Sequence, residues 1–407
     1  MKRFATLLLF ALLGCATLSA QYNNITPAPV SVEVEDAEGR VTIFDASREF
    51  KLYVGVEGVD YERLTDAAYA TGLELKSVKK SATRDYLNLV IDKSVEHSEG
   101  YILECYKDGI SIKAATPAGL FYGLQSLRQL VETHSDRVWL EGRIVDYPRF
   151  EYRGALIDIS RHFRSVDFLK RQIDMMARVK MNRLHLHLTD AAGWRLEIDS
   201  YPRLTSYAAW RTPHDWKGWW YGDRQFVDEG TEGASGGYLT KEEARELVAY
   251  AADRYITIIP EIEMPGHSDE VLAAYPELKC THAPERQGDL CIGKEATFEM
   301  MQAILDEVIE IFPSEYIHIG GDEAGKGDWK LCEDCQRRMR EEGLESVDEL
   351  QSYMIHRIEE YLNARGRQII GWDEILEGGL APNATVMSWR GEEGGLMAAE
   401  AGHKVVM

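Results

Sequence analysis

From Tyr152 onward, short apolar runs keep ending in polar residues. They read YRGALIDISRH, NRLHLHLTD, ITIIPEIEMPGH, YIHIGGDE, RQIIGWDE, ATVMSWRGE and HKVVM. Most follow an amphipathic stretch: VDFLKRQIDMMARV, TKEEARELVAYAADR, FEMMQAILDEVIEIF and ELQSYMIHRIEEYLNARG. In the second of these, Thr240 and Glu243 are spaced as a capping box, and Gly366 is placed to stop the last. Helices alternating with apolar strands predict a parallel sheet. Six or seven such units predict a (β/α)8 barrel of the TIM type, in which function collects at the C-terminal ends of the strands. A doubly wound open sheet is the alternative, but no glycine-rich phosphate loop follows the first strand. The seventh strand has barely begun at Met407, and a closed barrel needs roughly 50 to 100 residues more. The expectation is therefore an incomplete barrel over residues 149–407 in a C-terminally truncated chain.

Residues 21–148 follow a different rhythm and predict a separate small α/β domain. YILECYKDGISIKAAT holds two extended runs joined around Asp108-Gly109, a hairpin signal. TPAGLFYGLQSLRQLV follows, with Leu120, Leu124, Leu127 and Leu130 at helical spacing. Pro148 in DYPRF closes the unit. At the N-terminus, Met-Lys-Arg, the run FATLLLFALLG and then small residues predict an export signal over residues 1–20. That run is too short for a stable bilayer anchor. Cleavage after Ala20 would release a soluble periplasmic or extracellular protein, whereas LLGC ending at Cys15 is similar to a bacterial lipoprotein signal. No later segment is long and apolar enough to cross a membrane.

Composition changes this picture little. Of 407 residues, 45% are hydrophobic and 28% charged, ordinary for a globular protein. The formal net charge of −22 argues against a nucleic-acid partner, which would be repelled. Export permits disulfides. Cys280 and Cys291 bracket a polar loop and make a plausible pair, while Cys105 sits in an apolar strand pattern and is expected simply to be buried. Cys332 and Cys335 in CEDC read as a disulfide or as half of a zinc site. No second CxxC or CxxH accompanies them, which weighs against zinc.

A barrel would gather the strand ends on one rim: Asp158 and Arg161, Asp190, Glu263 and His267, Asp322 and Glu323, Trp372 with Asp373 and Glu374, then Trp389 and Arg390. Carboxylates, arginine, histidine and tryptophan together suit a sugar, whose apolar ring face stacks on aromatics while its hydroxyls bond charged groups. A phosphate site would want more cations. His185 and His187 lie at i and i+2 on one strand and point the same way, so they could bind a metal. They precede the strand's end, however, and core histidines satisfied by hydrogen bonds are the preferred reading; His318 is read likewise, as buried support for the acidic pair. Aromatics in the loop Ala208–Phe226 could extend sugar binding or pack the loop onto the barrel.

The ordered motifs DISRHF, LHLTDAAGWR, PEIEMPGH, HIGGDE, GWDEI and SWRG resemble glycoside hydrolase family 20, the β-N-acetylhexosaminidases. The resemblance runs from about Thr26 to Met407. It implies an exo-acting enzyme that removes terminal N-acetylglucosamine or N-acetylgalactosamine from glycans with overall retention. Family members are a substrate-assisted exception to the usual two-carboxylate scheme: the 2-acetamido oxygen attacks C1. The resemblance makes Asp322 and Glu323 the catalytic pair, Asp322 orienting the acetamido N–H and Glu323 serving as general acid and base, with its pKa raised by its neighbour. Asp190 and His267 match positions that steady the acid, Arg161 one that binds ring hydroxyls, and Trp372 and Trp389 the pocket walls. Glu263 stands where the family more often has aspartate. The implied partners are N-acetylhexosamine-terminated glycans, with no cofactor and no metal in the reaction. Further family residues, a tyrosine with an aspartate and a tryptophan with a glutamate, would fall beyond Met407. If the chain ends there, an inactive or carbohydrate-binding remnant is the alternative, and a metal-dependent hydrolase built on His185 and His187 is a third.

Overall fold

The computed structural model describes residue 22 and residues 24–34, 36–37, 40–212, 214–282 and 288–407. The expected export signal and Cys15 lie outside the described residues. Two units are distinguished by their internal contacts.

The first comprises the described residues up to Arg153 with Ile173–Asn182 and Asp253–Ile256. Its seven-stranded sheet contains β1 Ser31–Glu33, β2 Phe50–Val54, β3 Leu75–Ser77, β4 Tyr86–Ile91, β5 Tyr101–Tyr106, β6 Gly109–Ala114 and β7 Gly142–Asp146. The order is β1-β7-β5-β6-β4-β2-β3. β5 and β6 form the hairpin read from the sequence, with Tyr106 opposite Gly109. Lys107 and Asp108 thus make the turn, and Gly109 opens the second strand. A Cβ on Gly109 would lie 2.5 Å from the Tyr86 carbonyl oxygen, so the neighbouring strand leaves room only for glycine. The unit also contains helices α1 Val59–Tyr69 and α2 Pro117–Thr133. α2 starts at Thr116, whose hydroxyl accepts the Gly119 N–H at 3.4 Å, with Pro117 in the first turn. Leu120, Leu124, Leu127 and Leu130 are all buried, each stabilising the fold by about 1.5–3 kcal/mol.

The second unit comprises Gly154–Gln172, Arg183–Ala252 and Thr257–Met407. Its strands are β8 Gly154–Asp158, β9 Arg183–His187, β10 Thr257–Glu261, β11 Tyr316–His318, β12 Gln368–Trp372, β13 Thr385–Met387 and β14 Val405–Val406. They pair in sequence order, every pair parallel. All seven strands read from the hydrophobic pattern are present, as a parallel half-barrel whose edges are β8 and β14. Between the strands in sequence lie α3 Val166–Arg178, α4 Lys241–Ala252, α5 Glu295–Ile311, α6 Glu333–Glu342, α7 Val347–Asn363 and α8 Glu392–Glu400. The capping box at α4 is formed: the Thr240 N–H donates to Glu243 Oε2 at 2.9 Å, and Thr240 Oγ1 accepts the Glu243 N–H at 3.1 Å. α5 buries Phe298, Met301, Leu305 and Val308, and α7 buries Leu350, Met354, Ile358 and Leu362. These are single stripes at helical spacing, which suits helices laid on a sheet. Among the described residues no helix is long and apolar enough to cross a membrane.

Candidate active site

Strand register assembles the floor of the site. Asp158, His187, Glu261 and His318 are successive Cα partners across β8, β9, β10 and β11. Alternate residues share a face of a strand, so His185 joins the same side as His187. The Glu261 carboxylate is the hub. It accepts from His185 Nε2 at 2.8 Å, from His187 Nδ1, and from Trp372 Nε1 at 2.9 Å, while His318 Nδ1 stands 2.9 Å away. Burial alone would raise the Glu261 pKa, but His187, His318 and His185 hold it well below the usual carboxylate range. His187 is also buried, which acts against its charge, yet Glu261 and Asp190 raise its pKa to about 10. Burial pushes His185 down to about 4. At neutral pH the floor is therefore a Glu261 carboxylate paired with a His187 imidazolium beside a neutral His185. Both histidines are engaged as hydrogen-bonded core residues, and His318 packs on His185 and Trp372 with ring centroids 4.4 and 4.8 Å away.

Above this floor lies Asp190. Thr189–Asp190 pairs with Gly193–Trp194 in a tight antiparallel hairpin, where a Cβ on Gly193 would meet the Arg195 guanidinium at 2.1 Å. Asp190 Oδ2 takes His187 Nε2 at 3.0 Å and also Arg161 Nη2, and Oδ1 lies 3.4 Å from His267 Nδ1. Burial would raise its pKa; hydrogen bonds from His187 and His267 bring it down to about 2. Arg161 reaches Asp158 Oδ2 at 2.8 Å with its other terminal nitrogen. His267 Nε2 is 3.2 Å from Asp322 Oδ2 and 3.4 Å from Glu323 Oε2, close but without hydrogen-bond alignment. Burial opposes its protonation, but Asp190 and Asp322 raise its pKa to about 11.

The run Gly320-Gly321-Asp322-Glu323 turns sharply after β11, with φ of +68°, +97° and +47° at Gly320, Gly321 and Glu323. A Cβ on Gly320 would come 1.8 Å from Glu263 Oε2, and one on Gly321 2.5 Å from Ile375 Cγ2. Glycine is needed at both, for conformation and for space. Glu323 and His267, the latter at φ +49°, are held left-handed at a cost of order 1–3 kcal/mol each. The Glu263 carboxyl, fully buried behind the turn, has neither oxygen hydrogen-bonded. Burial and the charges of Asp322, Glu261 and Asp190 raise its pKa well above the usual carboxylate range.

A cleft of about 280 Å³ opens over these groups. Arg161, Asp190, His267, Asp322, Glu323, Trp372 and Trp389 line it together with Asp158, His187 and Leu156. Glu263 does not reach its surface. Trp389 donates to Glu374 Oε2 at 3.0 Å, and Arg390 Nε lies 3.2 Å from Asp373 Oδ2. Sequence reasoning missed Glu261, although a second carboxylate two residues before Glu263 in a buried strand was a usable signal. It also missed Arg195, which is fully buried and donates to the Ser160, Ala209 and Gly237 carbonyls at 2.6 to 3.0 Å, pinning the segment before Arg161 to the loop after Asp190. The Trp-rich loop packs inward at its centre. Trp219 is fully buried with Ala191, Ala192 and Phe226, and Trp216 and Trp220 pack against that cluster, leaving Tyr221 exposed.

Paired carboxylates, an imidazole and indole walls at the C-terminal ends of parallel strands are the equipment of a carbohydrate hydrolase. Two family profiles match: "Glycosyl hydrolase family 20, domain 2" over residues 22–147 and "Glycosyl hydrolase family 20, catalytic domain" over residues 150–407. The chain belongs to glycosyl hydrolase family 20. It is 40% identical to a β-hexosaminidase of Porphyromonas gingivalis, over 98% of this chain and 52% of the relative, and 35% identical to one of Vibrio furnissii, over 75% and 51%. The chain thus spans about half the length of these relatives. Among solved structures it is similar to a β-N-acetylhexosaminidase of Bacteroides fragilis, with a TM-score of 0.78, 31% identity and 94% of this chain and 74% of the other covered. It is also similar to an exo-β-N-acetylglucosaminidase of Vibrio harveyi in complex with N-acetylglucosamine, with a TM-score of 0.80, 28% identity and 94% and 60% coverage.

Proposed function

We propose that the chain carries the catalytic centre of an exo-acting β-N-acetylhexosaminidase, acting on terminal N-acetylglucosamine or N-acetylgalactosamine of glycans by substrate-assisted retention. One observation carries the choice of mechanism. The cleft's other two carboxylates, Asp158 and Asp190, are both bound by Arg161, so neither is a free nucleophile facing Glu323. The substrate's acetamido oxygen then fills that role by attacking C1. Asp322, which lines the cleft, accepts the acetamido N–H and balances the positive charge that develops. Glu323 protonates the departing oxygen and afterwards takes a proton from the incoming water. His267 stands beside both carboxylates. Arg161, fixed by two aspartates, presents its remaining donors to the sugar hydroxyls, and Trp372 and Trp389 wall the ring. An exported location, in the periplasm or outside the cell, belongs to the same proposal and rests on the Met1–Ala20 pattern.

The test is a comparison of leaving groups. Glu323→Gln should lose about 10²–10⁴ in kcat/KM on a p-nitrophenyl or natural N-acetylglucosaminide. With a 2,4-dinitrophenyl leaving group, which needs no proton, most of that loss should disappear. Asp322→Asn should slow both substrates alike, because it hampers the nucleophile. Equal losses on both leaving groups in the Glu323 variant would overturn the assignment of the acid.

A further inference from the structure

Away from the cleft, four cysteines far apart in sequence converge on one point. Cys280 follows the turn Pro276–Leu278, Cys291 lies past the loop that follows it, and Cys332 and Cys335 sit at the start of α6. All four are buried, and all four are free thiols. The Cys280–Cys291 disulfide expected from the sequence is not formed, because the start of α6 brings two further sulfurs to the same place. Sγ–Sγ distances are 3.7 Å for Cys280–Cys335, 3.6 Å for Cys291–Cys332 and 3.6 Å for Cys291–Cys335. All four sulfurs lie within 4.8 Å of one another.

Two geometries compete for such a cluster. Bonded sulfurs in a disulfide are about 2.05 Å apart. Four thiolates around a tetrahedral ion at a zinc–sulfur distance of about 2.3 Å have sulfurs about 3.8 Å apart, the edge of that tetrahedron. The observed separations match the second. The backbone is shaped for the same approach. A Cβ on Gly293 would lie 2.1 Å from the Asp334 carbonyl carbon and 2.2 Å from the Cys335 nitrogen, so only glycine lets the 291–293 segment seat against α6. The Cys291 amide donates to the Leu278 carbonyl at 3.0 Å, and the Cys291 carbonyl accepts from Thr297 Oγ1 at 2.7 Å.

We propose that Cys280, Cys291, Cys332 and Cys335 form a closed tetrathiolate site for one structural zinc ion. Sulfur donors in a tetrahedron select zinc or iron, and a buried site with every position taken by protein suits a structural, redox-inert ion. The ion joins two loops of the active site. The segment leading to Cys291 is tied back to the start of the His267 loop, where Leu290 N–H meets the Pro265 carbonyl at 2.8 Å. The segment leading to Cys332 descends from Asp322 and Glu323, and its Trp329 Nε1 donates to the Leu290 carbonyl at 3.0 Å. Zinc here would fasten the strand-end loops that carry His267 and the acidic pair without touching substrate.

The test reads metal, so it stands or falls apart from the hydrolase proposal. The chain, purified without added chelator, should contain about one zinc per molecule by plasma mass spectrometry. Its native mass should exceed its denatured mass by one zinc, and Cys335→Ser should lower bound zinc at least tenfold. Because that variant could misfold, exchange of cobalt(II) into the unaltered protein provides an independent readout, with intense thiolate-to-cobalt charge-transfer bands expected. A metal-free chain with four reactive thiols, a denatured mass short by the hydrogens of two disulfides, or stoichiometric iron in place of zinc would each overturn the proposal.

Discussion

Glu261 is the most exacting place to perturb. Its carboxylate takes three hydrogen bonds and stands 2.9 Å from His318 Nδ1, and its residue has no solvent exposure. Glu261→Gln keeps the volume but replaces one acceptor oxygen with an N–H₂ group. His185 Nε2 and His187 Nδ1 converge on one oxygen and Trp372 Nε1 donates to the other, so whichever way the amide turns, at least one ring N–H faces a donor. The His187 imidazolium loses its counter-ion and keeps only Asp190. Removing one partner of a buried ion pair costs about 3–5 kcal/mol. For a unit of this size that lowers the midpoint of its thermal transition by about 6 to 20 °C. Calorimetry across pH separates the electrostatic part from packing. The Glu261 pKa is depressed, so its stabilisation is complete above its unfolded value of about 4.5 and is lost as pH falls through the folded value. The His187 pKa is raised, so the same interaction is complete below about 6.5 and is lost as pH rises through about 10. The difference between wild type and variant should therefore peak between those limits and shrink on either side. A variant whose midpoint stays within about 2 °C of wild type near pH 6 would refute this account of the floor.

Other perturbations give separate checks. His267 should remain an imidazolium through neutral pH and titrate near 11 by NMR; its stabilisation is complete below about 6.5 and is lost as pH rises through about 11. Asp190→Asn should bring that titration back toward the ordinary range, and an unmoved His267 would contradict the pairing. Arg161→Lys should raise KM at least tenfold, because an ammonium cannot span Asp158 and Asp190 while also presenting donors to the sugar; an unchanged KM would remove it from the binding site. Arg195→Lys should lower stability by about 1–3 kcal/mol in denaturant titration, since buried carbonyls lose their donors. Trp389→Ala should weaken substrate binding by up to about tenfold, roughly 1.4 kcal/mol, with little change in melting, because the residue is 49% exposed.

Much of the fold was legible because it rests on local periodicity. The seven parallel strands, the α4 capping box, the α2 leucine stripe and the β5–β6 hairpin each follow from spacing within a few residues of one another. The strand-end residues could be named for the same reason, since a parallel barrel collects whatever follows its strands on one rim. What spacing does not carry is register. Only the pairing of β8, β9, β10 and β11 reveals that Asp158, His187, Glu261 and His318 form one row, and Glu261 went unnoticed without it. The inward packing of Trp219, the carbonyl cage around Arg195 and the meeting of Cys280 and Cys291 with Cys332 and Cys335 were likewise decided by tertiary structure. Each depends on groups brought together from separate loops, and CEDC read alone had no second half. Strand and helix identities are set by which side chains can share a face over one or two turns of chain. The charge states and partners of buried groups depend on long-range packing, because burial and opposite charge act through space.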